Sequence, residues 1–258
     1  MKMGLENQRV IVFGAARGIG QAIASQFAIE KCRVVGVDRN PPTDLQGQVF
    51  DEFVVADVTS FEKMQTLATS YSDVDHVIFS VGIGSGKSGF PFWNLHPSDW
   101  SHVLDVNLLG AVNVAHAFAP SMANRQSGSF LFLVSVAGQI GSQTDPPYSA
   151  SKAALINFVQ CAAKDLAPYA VRVNALSPGM VRTELNESVW QAWRQSEPES
   201  KRLSYDEWAD EKIRRIAPLG RWQTRPEFAS MAVYLASEHG SSITGQTINI
   251  DGGQVMHA

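Results

Sequence analysis

Apolar residues fall in short, nearly unbroken runs along the first half of the chain, at residues 9–13, 32–38, 53–57 and 74–80. Runs of this length, rich in Val, Ile and Phe and bounded by turn residues, read as strands buried on both faces. Between and after them the pattern changes to helical spacing. Helices are predicted at 19–30, at 100–122 (started by Pro97 or Ser98, with Pro120 near its end), at 148–167 before Pro168, and at 226–237. Further strands are expected at 129–135, 170–176 and 247–250. Such alternation predicts an α/β, doubly wound fold, a parallel sheet of about seven strands with helices on both faces. No repeat and no linker divides the chain, so residues 1–258 form a single domain with a polar, Trp-bearing, lid-like insertion at about 184–217.

Composition narrows the partners. Hydrophobic residues make up 45% and charged residues 18% of the chain, as in ordinary globular proteins. The net charge of −4 argues against nucleic acid and against anionic membranes. No apolar run is expected to span a bilayer, and no signal peptide is evident. Cys32 and Cys161 both stand in apolar runs and are expected as buried free thiols, which suits a cytoplasmic location.

The first strand leads into Gly14-Ala15-Ala16-Arg17-Gly18-Ile19-Gly20 and then a helix. Glycines here let the backbone turn tightly and approach a pyrophosphate at the positive end of the helix. Alone, the motif is equally compatible with a plain strand–helix turn. Asp38 strengthens it, standing 18 residues after Gly20 at the end of the second strand, where a carboxylate accepts hydrogen bonds from the adenosine ribose. Arg17 and Arg39 flank the same region and can reach a 2′-phosphate. Like-charge repulsion between Asp38 and that phosphate outweighs an idle surface arginine, so NAD is favoured over NADP.

Tyr148 and Lys152 are four residues apart and share one helix face. A free phenol, with a pKa of about 10, is a poor proton carrier at neutral pH, and a nearby ammonium lowers it. The pair reads as a general acid–base, although an exposed Tyr beside a solvated Lys has the same spacing. Ser135 ends the fifth strand, at the edge that faces the ligand crevice, and can bond a substrate oxygen. Asn107 sits within a helix that does not favour it.

In order and spacing these pieces resemble the short-chain dehydrogenase/reductase family along nearly the whole chain: Gly14-x-x-x-Gly18-Ile19-Gly20, Asp38, Asp57-Val58, Asn107, Ser135, Tyr148-x-x-x-Lys152 and Pro178-Gly179. The resemblance implies a Rossmann fold and an NAD(P)(H)-dependent enzyme interconverting a secondary alcohol and a ketone. Tyr148 is then the proton donor or acceptor, and Ser135 polarises the carbonyl. Lys152 lowers the tyrosine pKa and binds the nicotinamide ribose. Asn107 holds a relay water, Asp57 and Val58 contact adenine, Pro178, Gly179 and Val181 pack on the nicotinamide, and Thr183 bonds its carboxamide or the pyrophosphate. Two departures stand out. Phe13 replaces the usual Thr, and Phe79-Ser80-Val81-Gly82 replaces Asn-Asn-Ala-Gly. Altered packing between Phe13 and Phe79 is expected there, with changed cofactor contacts at Ser80, Val81 and Gly82 but intact catalysis.

The substrate is less legible. Trp190 and Trp193 either cap a pocket or dock an amphipathic helix on the core. Phe90, Phe92 and Trp93, with Gln139, Ile140 and Gln143, are candidates for the opposite walls around a small-molecule alcohol or ketone. Helices 100–122 and 148–168 each have two apolar faces. With the resemblance, this suggests a homotetramer or homodimer. A non-catalytic NAD(H)-binding sensor on the same fold is the alternative, and the presence of Ser135, Tyr148 and Lys152 counts against it. Enoyl reduction and epimerisation are disfavoured by the four-residue Tyr–Lys spacing and the chain length.

Overall fold

The computed structural model describes residues 2–42, 49–87, 92–142 and 145–256. Seven strands form one sheet in the order β3-β2-β1-β4-β5-β6-β7, every pairing parallel. They are β1 (Arg9–Phe13), β2 (Arg33–Asp38), β3 (Glu52–Val55), β4 (His76–Phe79), β5 (Gly128–Leu133), β6 (Val171–Pro178) and β7 (Thr247–Ile250). The strand order reverses between β1 and β4, which makes the crevice beyond their carboxyl ends the natural place for a ligand.

Helices cover both faces. The buried apolar cluster on one face joins α2 (Phe61–Ser70), α4 (Gly110–Arg125) and α5 (Pro146–Leu166) to the sheet. The other joins it to α1 (Gly18–Ile29) and α8 (Arg225–Ala236). Phe13 and Phe79 stand side by side in register on β1 and β4, both fully buried in the first cluster. Their ring partners lie on other elements: Phe13 meets Phe118 edge-on, and Phe79 tilts against Phe132.

Several elements differ from the sequence reading. α2 has no counterpart there, because it buries only Met64, Leu67 and Ala68, too thin a stripe in a polar stretch; Ser60 caps it by accepting from the Lys63 amide. The helix expected at 100–122 is three segments, α3 (Ser98–Leu104), a wide π-helical turn at Asp105–Leu109, and α4. α4 runs through Pro120 and stops only where Gln126 turns left-handed, at φ 53°. The continuous run Ser98–Arg125 is long and apolar enough to cross a membrane, contrary to expectation, but its most apolar window is 44% buried within the molecule. Residues 184–217 fold into α6 (Glu184–Ser196) and α7 (Tyr205–Ile216). Cys32 is buried as expected; Cys161 is exposed, since it lies on the outer side of α5.

Candidate active site

A cavity of about 530 Å³ opens along the carboxyl ends of β1, β2, β4, β5 and β6. One end is lined by Asp38, Arg39, Asp57 and Val58, the other by Ser135, Ile140, Ser142 and Tyr148. Gly14, Arg17, Gly18, Ile19, Ser80, Val81, Gly82, Lys152, Pro178, Gly179, Val181 and Thr183 line the space between. The topology thus gathers residues scattered from position 14 to 183 into one crevice.

The glycine turn divides its labour. Gly14 has φ +80°, and a Cβ there would come within 2.8 Å of the Ser80 backbone. A Cβ on Gly20 would stand 2.1 Å from the Gly14 carbonyl oxygen. Gly18, at φ +65°, meets nothing within 4 Å, so its backbone lies open to the cavity. Gly20 does not line the cavity, contrary to the expected cofactor contact; it lets α1 press against the turn. The N-cap, Arg17, puts no side chain on the helix amides, and the first turn holds no acid. A cradle of open N–H groups at a helix N-terminus fits a dinucleotide pyrophosphate.

At the opposite walls, Asp38 accepts from the Ala16 amide at 3.1 Å and the Asn40 amide at 3.2 Å. Asp57 accepts from the amide and hydroxyl of Thr59, which hold its carboxyl below the usual range. Arg17 pairs with Glu184 across the mouth, and Arg39 is exposed. Thr183 uses its hydroxyl to cap α6 on the Asn186 amide, at 3.3 Å.

Asp145 seats the catalytic candidates. It caps α5 ahead of Pro146-Pro147, accepting from the Tyr148 amide at 3.4 Å and the Ser85 amide at 2.7 Å. The sequence reading missed it, although Asp before a Pro-led helix is a recognisable N-cap. Ser135 lies just beyond β5 and caps a short turn through the Ala137 amide at 3.2 Å. Withdrawal from water pushes the Tyr148 phenol up to about 12, opposed by the Ser135 hydroxyl and reinforced by the Asp145 charge. Lys152 is 2% exposed, and desolvation pushes it down to about 7. Its ammonium donates to the Leu133 carbonyl at 2.8 Å and reaches the Val81 carbonyl at 3.5 Å. It stands 5.7 Å from the Tyr148 ring centroid. The expected lowering of the phenol by this ammonium is therefore not the dominant effect, because burial outweighs it.

Asn107 is fully buried and does not line the cavity. Its Oδ1 accepts from the Ile83 amide at 2.8 Å, and its Nδ2 donates to the Ile83 carbonyl at 2.9 Å and the Ser151 hydroxyl at 3.0 Å. It braces the 80–84 turn from the π-helical segment, where the extra residue turns its side chain inward.

Other expected wall residues sort differently. Ile140 lines the cavity, but Gln139 turns away to Ser177 and Asn249, at 2.6 and 2.7 Å. Trp190 and Trp193 dock on α7, against Tyr205 and Trp208 respectively, and are not cavity lining. α6 and α7 instead contribute Asn186, Val189, Lys212 and Ile216. Phe92 and Trp93 are exposed, meet each other edge-on and do not line the cavity. Phe90 and Gln143 lie outside the described residues.

Comparison with known proteins agrees with this geometry. A family model described as enoyl-(acyl carrier protein) reductase matches residues 14–255. The 3-oxoacyl-(acyl-carrier-protein) reductase FabG of Thermotoga maritima is 32% identical, over 98% of this chain and 100% of its own. An NAD+-bound xylitol dehydrogenase structure superposes with a TM-score of 0.86 at 25% identity, covering 97% of this chain and 100% of its own. A gluconate 5-dehydrogenase from Burkholderia cenocepacia, in complex with NADP and tartrate, superposes with a TM-score of 0.84 at 27% identity, covering 98% of this chain and 97% of its own.

Proposed function

The chain belongs to the short-chain dehydrogenase/reductase family, and from that premise we propose that it interconverts a secondary alcohol and a ketone with a nicotinamide cofactor, Tyr148 moving the proton. One observation carries the reading: Ser135, Tyr148 and Lys152 line one cavity that begins at an open glycine turn.

The residues present fit the cofactor. Gly14 to Ile19 would take the pyrophosphate, Asp38 the adenosine ribose, Asp57 and Val58 the adenine, and Pro178 to Val181 with Thr183 the nicotinamide. Ser80, Val81 and Gly82 line the path between. When bound, the nicotinamide gives or takes the hydride. The protein's share is to hold the substrate oxygen and handle its proton. Ser135 donates to that oxygen, and Tyr148, kept protonated by burial, gives its proton in the reducing direction. In the oxidising direction Tyr148 must accept, and protonated Lys152 below it favours the phenolate.

Asp38 supports NAD over NADP, because its carboxylate faces the place a 2′-phosphate would occupy. The relatives span both cofactors, NAD+ in the xylitol dehydrogenase and NADP in the gluconate dehydrogenase. The four-residue Tyr148–Lys152 spacing supports carbonyl chemistry over the enoyl reduction in the family description. The gathering of Ser135, Tyr148 and Lys152 on one cavity counts against a non-catalytic sensor. Helices α6 and α7 serve as a lid over the substrate end. We place the protein in the cytoplasm, a reading its free thiols support, and assign it a homodimeric or homotetrameric assembly through the outer faces of α4 and α5, beside the π-helical turn where Leu109 is 51% exposed.

The test is titration with NADH and NADPH, followed by turnover on a panel of ketones and secondary alcohols. Tighter binding of NADH with turnover of a panel member is expected. Tight binding without turnover across the panel would favour the sensor.

A further inference from the structure

The cavity wall built by α6 and α7 holds one cation that the cofactor does not need. Lys212, on α7, is half-buried and lines the cavity beside Val189 and Ile216. Among the described residues its ammonium has no hydrogen bond and no carboxylate partner. It lies over the face of Trp208, 4.5 Å from the ring centroid. Two of the neighbouring cations are already matched by carboxylates. Arg182 pairs with Asp206 and Asp210, Arg17 pairs with Glu184, and exposed Arg225 donates to the Arg182 carbonyl. Burial, with repulsion from Arg215, pushes Lys212 down to about 8, which leaves it largely protonated at neutral pH. A half-desolvated cation without a counter-ion is costly in the folded protein, and a ligand anion offsets that cost.

We infer that Lys212 binds a carboxylate on the substrate, so that the alcohol or ketone taken by this site is an acidic one. The inference rests on the oxidoreductase reading and narrows it. The cofactor's own anion is already served by the N–H groups of the glycine turn, at the start of α1. Lys212 lies on α7, in the segment that follows β6, and apolar Val189 and Ile216 line the same cavity and would help keep water from the ion pair it would form.

The test loads the intact protein with NADH and titrates pyruvate, acetoacetate and levulinate, each against its methyl ester, by calorimetry and by turnover. The wild type should bind at least one acid about tenfold or more tighter than its ester, the range of one charge-assisted hydrogen bond. Lys212→Met should erase that preference while leaving NADH affinity within a few-fold, and Lys212→Arg should keep it. Equal binding of every acid and its ester would overturn the inference. So would a Lys212→Met variant that loses NADH affinity instead, because the cation would then belong to the pyrophosphate. Acid-selective binding without turnover would leave Lys212 as the carboxylate contact and sink the oxidoreductase reading alone.

Discussion

The Lys152 ammonium is hydrogen-bonded to the Leu133 carbonyl, 2.8 Å away, while standing 5.7 Å from the centroid of the Tyr148 ring. The lysine is thus anchored to the carboxyl end of β5, beneath the tyrosine, and held almost out of water. Its folded pKa of about 7 lies below the unfolded value of 10.5. Between those values the unfolded chain binds the extra proton, so the contribution of Lys152 to stability rises with pH. Ligand-free Lys152→Met should therefore gain on the wild type below pH 7 and lose that advantage as pH approaches 10. Thermal melts of both proteins across that window check this, and a constant difference in melting temperature would contradict it. The same variant should lose both cofactor affinity and turnover.

Asp38 combines a charge with two backbone contacts, to Ala16 and Asn40. Asp38→Asn keeps an acceptor and removes the charge. It should raise NADPH affinity about tenfold relative to NADH, the size of a modest like-charge penalty. Asp38→Ala should shift the preference the same way but also destabilise the glycine turn. Fluorescence titration with both cofactors decides it, and an unchanged ratio would make Asp38 a turn residue only.

Asn107 makes three hydrogen bonds in full burial, two of them to the Ile83 backbone. Asn107→Ala orphans the Ile83 amide and carbonyl together and should cost about 2–4 kcal/mol of stability. Urea unfolding should show a lower midpoint with an unchanged slope. A loss below about 0.5 kcal/mol would contradict the bracing role.

The two later glycines of the turn should respond differently to alanine. Gly20→Ala forces a methyl into the Gly14 carbonyl and should prevent stable folding or cost several kcal/mol. Gly18→Ala meets no neighbour and carries only the strain of its positive φ, about 1 kcal/mol, with weaker cofactor binding. Circular dichroism melts and NADH titration of both variants separate these effects. Equal melting temperatures would refute the division of labour.

Much of this architecture was legible because buried parallel strands must be apolar on both faces, and residues 9–13, 32–38 and 129–135 are. The strand ends then put Asp38, Ser135 and Pro178 at one edge. What escaped was decided by tertiary contact. Met64, Leu67 and Ala68 make α2 amphipathic only against α4 and the sheet. Asn107 reads as a mid-helix amide, and only the π-helical turn directs it at Ile83. Trp190 and Trp193 share a helix face, but the aromatic surface they meet, Tyr205 and Trp208, comes from the next helix. Lys212 sits among the charges of a polar segment, and its burial on the cavity wall has no local signature.

The most direct test of the account compares wild type and Tyr148→Phe, both loaded with NADH, in turnover of a ketone accepted by the wild type. The phenylalanine keeps the ring and removes the only proton the proposal moves. The account predicts a loss of at least about a hundredfold in kcat, the usual scale of a general acid, with NADH affinity within a few-fold. Turnover within a few-fold of wild type would contradict the central role given to Tyr148.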